Sequence, residues 1–278
     1  MNTAVQIRQF DKQTEFVNLL TNENCAKATV GAYMFALRDF YGKYKVCNKK
    51  NLLLYKMYLI ETFKPKTVNL RIVALNKYLD FIKKPKLKLK AVKVQSKAFI
   101  DNIISFPDYE FLRDSLKADG DMQTYFMVRL LAATGARVSE FVNLKIEHLR
   151  VGYFDIYSKG GKIRRLYIPM KLCEECLSWL EGVDRESGYV FISHLRGAYT
   201  TRGVANRLKL AAKKYGIDEK VCYPHSFRHM FAKKFLERYN DISLLADLMG
   251  HESIETTRIY LRKTSTEQQA IVDKVITW

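Results

Sequence analysis

Apolar residues near the start of the chain recur at helical spacing. Val30, Tyr33, Met34, Leu37, Phe40 and Tyr41 form one stripe, with Thr29 as its expected cap. Val68, Ile72, Leu75, Leu79 and Ile82 form a second stripe after Pro65. Asn51 to Phe63 and Phe10 to Leu20 are apolar enough for two more helices. The pattern predicts a small helical bundle. It stops at Pro85, where a helix interior is broken, and the residues that follow carry no amphipathic stripe.

A second periodic region begins at Phe106-Pro107-Asp108, where proline suits a first helical turn. Met122 to Thr134 is a strongly apolar helix, and TGARVSEFVNLK opens another. The pattern then changes to alternation. VGYFDIY and IRRLYI read as strands joined by SKGGK, a hairpin with a Gly-Gly tip. Helices resume at Leu172, at Thr201 to Tyr215, at Ser226 to Tyr239, at Ile242 to Met249 and at Ile254 to Leu261. The fold class is therefore mainly α with a small antiparallel β-sheet. The expected organisation is a helical domain over 1–82, a linker over 83–104 and a second domain over 105–278. An apolar-rich tail, about 262–278, carries Ile271, Val272, Val275, Ile276 and Trp278.

Charge sharpens this division. The 278 residues carry a formal net charge of +18, which calls for a polyanionic partner. Residues 1–90 hold 18 Lys+Arg and 6 Asp+Glu, a net of +12, and the remainder holds only +6. Residues 83–97 carry seven lysines, Lys83, Lys84, Lys86, Lys88, Lys90, Lys93 and Lys97, and no acid. An extended basic segment of this kind can follow a nucleic-acid backbone. A nuclear-localisation signal is the competing short-motif reading.

No apolar run approaches the about 20 residues that span a bilayer, and the N-terminal residues lack the pattern of a secretory signal. A cytoplasmic location with reduced cysteines is expected. The five cysteines are odd in number and scattered. Cys173 and Cys176 form a CxxC, but no second pair completes a zinc site, so two ordinary thiols on one helix face are expected.

Signatures for dinucleotides, P-loops and zincins are absent, and no carboxylate cluster suggests a two-metal nuclease. What stands out is basic and hydroxyl chemistry. Arg137 lies at a helix start with Glu140 one turn on, where a carboxylate can hold the guanidinium. By itself that pair is an ordinary salt bridge, and Lys159 an ordinary turn lysine. His225, Arg228 and His229 share a helical face, His251 follows a glycine, and Tyr260 lies nine residues further.

Taken in order, these segments read ATGARVSE, SKGGK, HSFRH and LMGHESIETTRIY. In this order and spacing the chain resembles the tyrosine recombinase (phage integrase) family. The resemblance spans the second domain, and the basic helical domain is similar to the family's core-binding domain. Phe227 stands where the family usually has leucine, an apolar exchange.

The resemblance implies a site-specific recombinase that cuts and rejoins DNA through a 3′-phosphotyrosyl intermediate and a Holliday junction. It implies Tyr260 as nucleophile, Arg137 and Arg228 as a phosphate clamp, His225 as base, Lys159 as general acid and His251 on the phosphate. Glu140 and His229 would support the site. The arginines and the lysine supply the positive charge, so no metal or cofactor is expected. The implied partners are duplex DNA with paired half-sites and three further copies in a tetramer, with room for accessory DNA-bending proteins. Competing readings are type IB topoisomerase-like relaxation and a non-catalytic DNA-binding regulator. Integration, excision, inversion and dimer resolution all use this chemistry.

Overall fold

The computed structural model describes residues 12–94, 102–157, 163–193, 197–251, 253–261 and 265–276. The chain divides into two compact units, 1–96 and 97–278. The division falls inside the segment expected as a linker.

The first unit contains α1 (Gln13–Asn22), α2 (Lys27–Lys43), α3 (Lys49–Thr62) and α4 (Pro65–Phe81). Their apolar stripes meet in a core that includes Phe16, Leu37, Phe40, Tyr55, Leu59, Ile72 and Leu79. Asn48 caps α3 by accepting the Asn51 N–H at 2.8 Å. Thr29 is not a cap. α2 starts at Lys27 with Ala26 before it, soon after a left-handed turn at Asn24. One charged residue enters this core. Arg71 is buried, and its guanidinium meets Asp39, the Tyr55 hydroxyl and the face of Phe63. A buried cation needs such a full set of partners.

The basic segment after α4 is docked on this unit. Pro85–Leu87 form a single 3-10 turn, and the chain then runs extended along α4. Asn76 accepts the Leu89 N–H and donates to the Leu89 carbonyl, both at 2.9 Å. Asn69 does the same for Val92, at 2.8 and 2.9 Å. The two asparagines are two helical turns apart, about 10.5 Å, close to the about 10 Å spanned by three extended residues. Leu89 is buried, while Lys83, Lys84, Lys86, Lys88, Lys90 and Lys93 are exposed. Lys88 pairs with Asp80 at 2.7 Å. Lys97 lies outside the described residues.

The second unit opens with α5 (Phe106–Ala118), capped by the Ser105 hydroxyl on the Asp108 N–H. There follow α6 (Met122–Thr134), α7 (Val138–Phe141), α8 (Ile146–Val151), β1 (Tyr153–Tyr157) and β2 (Ile163–Tyr167). Then come α9 (Met170–Glu181), α10 (Thr201–Lys214), α11 (Pro224–Arg238), α12 (Ile242–Met249) and α13 (Ile254–Arg258). A 3-10 turn at Ile259–Leu261 carries Tyr260, and α14 covers Ser265–Val275.

α6 is buried over most of its surface and forms the middle of the main core, where Trp179 of α9 stacks on Phe126. β1 and β2 pair antiparallel from Tyr153–Tyr167 to Tyr157–Ile163. Along β2 the burial alternates, so Arg164 and Leu166 face inward while Ile163, Arg165 and Tyr167 face out. Cys173 and Cys176 sit in the core on α9. Burial pushes their thiols up to about 11 and about 12, which makes them protonated packing residues.

A smaller apolar cluster lies beside the main core. Ala232 and Leu236 of α11, Leu245 and Met249 of α12, and Tyr260 pack together with Phe231 and Phe235. This cluster fixes where α12 ends and where Tyr260 sits.

Candidate active site

Two glycines in left-handed conformation shape the site. Gly135 ends α6 at φ 59°, and Gly250 ends α12 at φ 61°. Neither position has room for a side chain. A Cβ at Gly135 would lie 2.5 Å from the Phe231 ring, and one at Gly250 would lie 2.3 Å from Arg164 Cδ.

The last carbonyls of a helix have no partner within it. At the end of α12 three successive carbonyls are each taken by a different arginine. Leu248 O accepts from Arg164 at 2.7 Å, Met249 O from Arg228 at 2.8 Å, and Gly250 O from Arg137 at 2.8 Å. Arg228 also donates to Gly135 O at 2.6 Å, at the end of α6. Helix C-termini carry partial negative charge, so they suit guanidiniums. The result is a cluster of three cations in fixed orientation.

Glu140 is the anion within it. Its carboxylate accepts the Arg137 backbone N–H at 2.8 Å and the Arg137 guanidinium at 2.9 Å, and it pairs with Arg164. Burial alone would raise its pKa. The Arg137 backbone N–H and the Arg164 and Arg137 guanidiniums outweigh burial and hold it below the usual carboxylate value. Arg228 is 3 % exposed, and burial beside Arg137 brings it down to about 10, still charged at neutral pH.

His251 lies 2.9 Å through Nε2 from Arg228 and 2.8 Å through Nδ1 from the Thr257 hydroxyl. A guanidinium only donates, so Nε2 accepts and Nδ1 carries the proton toward Thr257. Burial, then Arg228, Arg137 and Arg164, hold the imidazole down at about 4, so it is neutral at pH 7. Its ring stacks against Tyr260, with centroids 6.1 Å apart.

Tyr260 is 6 % exposed. Burial raises its hydroxyl pKa, and the positive charges of Arg228 and Arg137 oppose this only in part. The phenol is therefore neutral and sheltered in the free chain. Of the two α11 histidines, His229 is the one in ring contact with Tyr260, at 5.3 Å. Its Nδ1 is buried with no hydrogen-bond partner, and burial, then His225 and Arg228, lower it to about 4. His225 is exposed near the start of α11, 6.5 Å from the His229 ring, and burial of its inner part, with Arg228 and Arg137, lowers its pKa.

The structure thus brings together Arg137, Glu140, His225, Arg228, His229, His251 and Tyr260. Lys159 falls in the connection between β1 and β2 and lies outside the described residues. Sequence reasoning missed Arg164 and Thr257. Arg164 could have been found, because strand alternation puts it on the same face as Leu166. Thr257 left no such signal.

Comparison with known proteins identifies relatives of this chain. The phage integrase family profile matches residues 100–267. Tyrosine recombinase XerA of Pyrococcus furiosus is 30% identical over 276 residues, covering 94% of this chain and 92% of the relative. The TnP I resolvase of Bacillus thuringiensis is 32% identical over 278 residues, covering 90% and 94%. Among solved structures, XerH recombinase bound to a palindromic difH substrate superimposes with a TM-score of 0.69 at 17% identity. It covers 99% of this chain and 91% of that one, which establishes the shared fold. With the match over more than half its length and relatives along nearly all of it, the chain belongs to the phage integrase family and is a tyrosine site-specific recombinase.

Proposed function

We propose that Tyr260 is the nucleophile of strand cleavage and that Arg137 and Arg228 clamp the non-bridging oxygens of the scissile phosphate. The single observation that carries this reading is the placement of Tyr260 against His251 and His229, with His251 itself 2.9 Å from the Arg228 guanidinium.

The phenol oxygen attacks phosphorus and the bond to the 5′ oxygen breaks. His225 accepts the phenol proton, and Lys159 protonates the leaving 5′ oxygen. Charge grows on the non-bridging oxygens during attack. Guanidiniums already oriented by peptide carbonyls stabilise it without reorganising. Each has five N–H groups, so protein acceptors leave donors for phosphate. The product is a 3′-phosphotyrosine with a free 5′ hydroxyl. A second strand's 5′ hydroxyl reverses the step, which is transesterification without an external energy source.

His251 stands beside the phosphate position. Its Nε2 faces Arg228 in the free chain, so donation to phosphate requires an added proton or the other tautomer. Tyr260 must also leave its sheltered position against His229. The free chain is read as a resting form.

The first unit is read as the core-binding domain, with Lys83, Lys84, Lys86, Lys88, Lys90 and Lys93 supplying salt-sensitive contacts to the DNA backbone. Four copies on two sites form the active assembly. Exposure of Val272, Val275 and Ile276 on and after α14 supports docking of the tail on a neighbouring copy. Deleting residues 266–278 should then lower synapsis more than single-site binding.

Suicide DNA substrates test the central assignment. The unaltered chain should form a covalent protein–DNA adduct. Tyr260→Phe should bind DNA equally and form none. An adduct that survives this substitution refutes the assignment.

A further inference from the structure

Arg164 is the third arginine of the cluster, and its neighbour Arg165 shows how different its placement is. Arg165 is exposed and lies across from Asp155, donating two bonds of 2.8 Å. The Arg164 side chain is 8 % exposed and faces inward from β2. One of its nitrogens pairs with Glu140 and the other donates to Leu248 O at 2.7 Å. Its stem lies against the Cα of Gly250, which is why a Cβ there would collide with it. The residue therefore grips the end of α12 from both sides. A buried guanidinium is costly to desolvate, and these are partners that make it tolerable.

We propose that Arg164 is a positioning residue for strand cleavage, one that sets Arg137 through Glu140 and sets the His251 turn through Leu248 and Gly250. The inference rests on the reading of Arg137 as a phosphate clamp. Arg164 is assigned no phosphate contact; its two terminal nitrogens bridge Glu140 and Leu248 O. Its effect passes through Glu140, whose carboxylate is shared between two guanidiniums. Without Arg164 the carboxylate is held from one side only, and Arg137 loses the fixed reference that orients it. β2 also follows directly from the connection that contains Lys159. Arg164 thereby links the strand next to the proposed general acid with the cluster that holds the phosphate.

The test compares the full chain with Arg164→Met, Arg164→Lys and Arg165→Met in single-turnover cleavage of suicide DNA at saturating protein. Site binding and thermal unfolding are measured alongside. Arg164→Met should cleave about 10²-fold more slowly, the scale of a displaced catalytic group, with site affinity changed by less than about threefold. Arg164→Lys should recover part of the rate, since an ammonium keeps the charge beside Glu140 but lacks the fork that reaches Leu248 as well. Arg165→Met should match the unaltered chain.

The pH profile separates positioning from mere folding. Glu140 is faced by Arg137 at the N-cap of its own helix, by Arg164 from β2 and by Arg228 further off. Removing Arg164 raises the Glu140 pKa, so the acid limb of the cleavage rate should move to higher pH in Arg164→Met and stay put in Arg165→Met. Unchanged cleavage in Arg164→Met overturns the inference. So does a slow variant whose acid limb has not moved. If Arg164→Met does not fold, Arg164→Gln, which also removes the charge, decides by the same two readouts. An unaltered chain that forms no adduct overturns the parent reading instead.

Discussion

His229 and His251 should make the stability of the second unit fall in mild acid. Both imidazoles sit near 4 in the folded chain against an ordinary value of 6.5. Burial is the largest cause for each, and neighbouring charged or ring groups add to it. Since the folded value is depressed, the unfolded chain takes up protons first as pH falls. Stability is fully present above pH 6.5 and is lost on the way down to pH 4. Between pH 7 and pH 5 such a shift amounts to about 1.8 kcal/mol per histidine. Both side chains keep some access to water, which screens the effect, so about half should remain, or about 2 kcal/mol for the pair. The assay is urea unfolding followed by tryptophan fluorescence, which reports on the second unit because Trp179 and Trp278 both lie there. The unaltered chain is compared with His229→Gln/His251→Gln at the two pH values. The chain should lose about 2 kcal/mol more than the double variant. His225 and His148 are also lowered but are present in both proteins, so they cancel. Equal losses would refute the reasoning, because the two imidazoles would then titrate alike folded and unfolded.

Other substitutions test the framework around the site. Ser226→Ala leaves the buried Ile104 N–H without its acceptor, now 2.7 Å away, and should cost about 1–3 kcal/mol in the same urea assay. Asn69→Ala and Asn76→Ala should abolish amide-exchange protection at Val92 and Leu89 respectively, each at a cost of about 1 kcal/mol per lost bond. Replacing Lys84, Lys86 and Lys93 by alanine should reduce the salt slope of site binding by up to about 2.7, and an unchanged slope would exclude them from the DNA interface.

Much of this molecule is legible in its residues, and the exceptions have physical causes. The helical stripe Val68, Ile72, Leu75 and Leu79 is buried as its spacing says it should be, because the period alone selects a face, while Ile82 falls just past the helix end. The hairpin follows from alternation on both sides of Gly160-Gly161. Most of the ordered motifs fall where the structure gathers the arginines, histidines and Tyr260, and two of them mark helix ends, at Gly135 and Gly250. Docking of the basic segment is less legible. It depends on Asn69 and Asn76 meeting main-chain groups, and main-chain groups carry no sequence signal. Arg164 is obscured by Arg165. Two adjacent arginines look alike until a register decides which one turns inward. Thr257 orients His251 through a fold-dependent contact that no spacing rule anticipates.

The end of α12 has a consequence for how this protein can vary. Neighbouring peptide units are spaced by covalent geometry, with Cα atoms about 3.8 Å apart. Because Arg164, Arg228 and Arg137 are each referred to one of three consecutive carbonyls, their separations are set by the main chain. The identities of Leu248 and Met249 do not enter those bonds. Exchange of these two side chains for others of similar bulk should therefore leave the cations in place. Insertion or deletion of a single residue there would shift all three at once. Side-chain exchange should be tolerated at this turn, and a change of length should not.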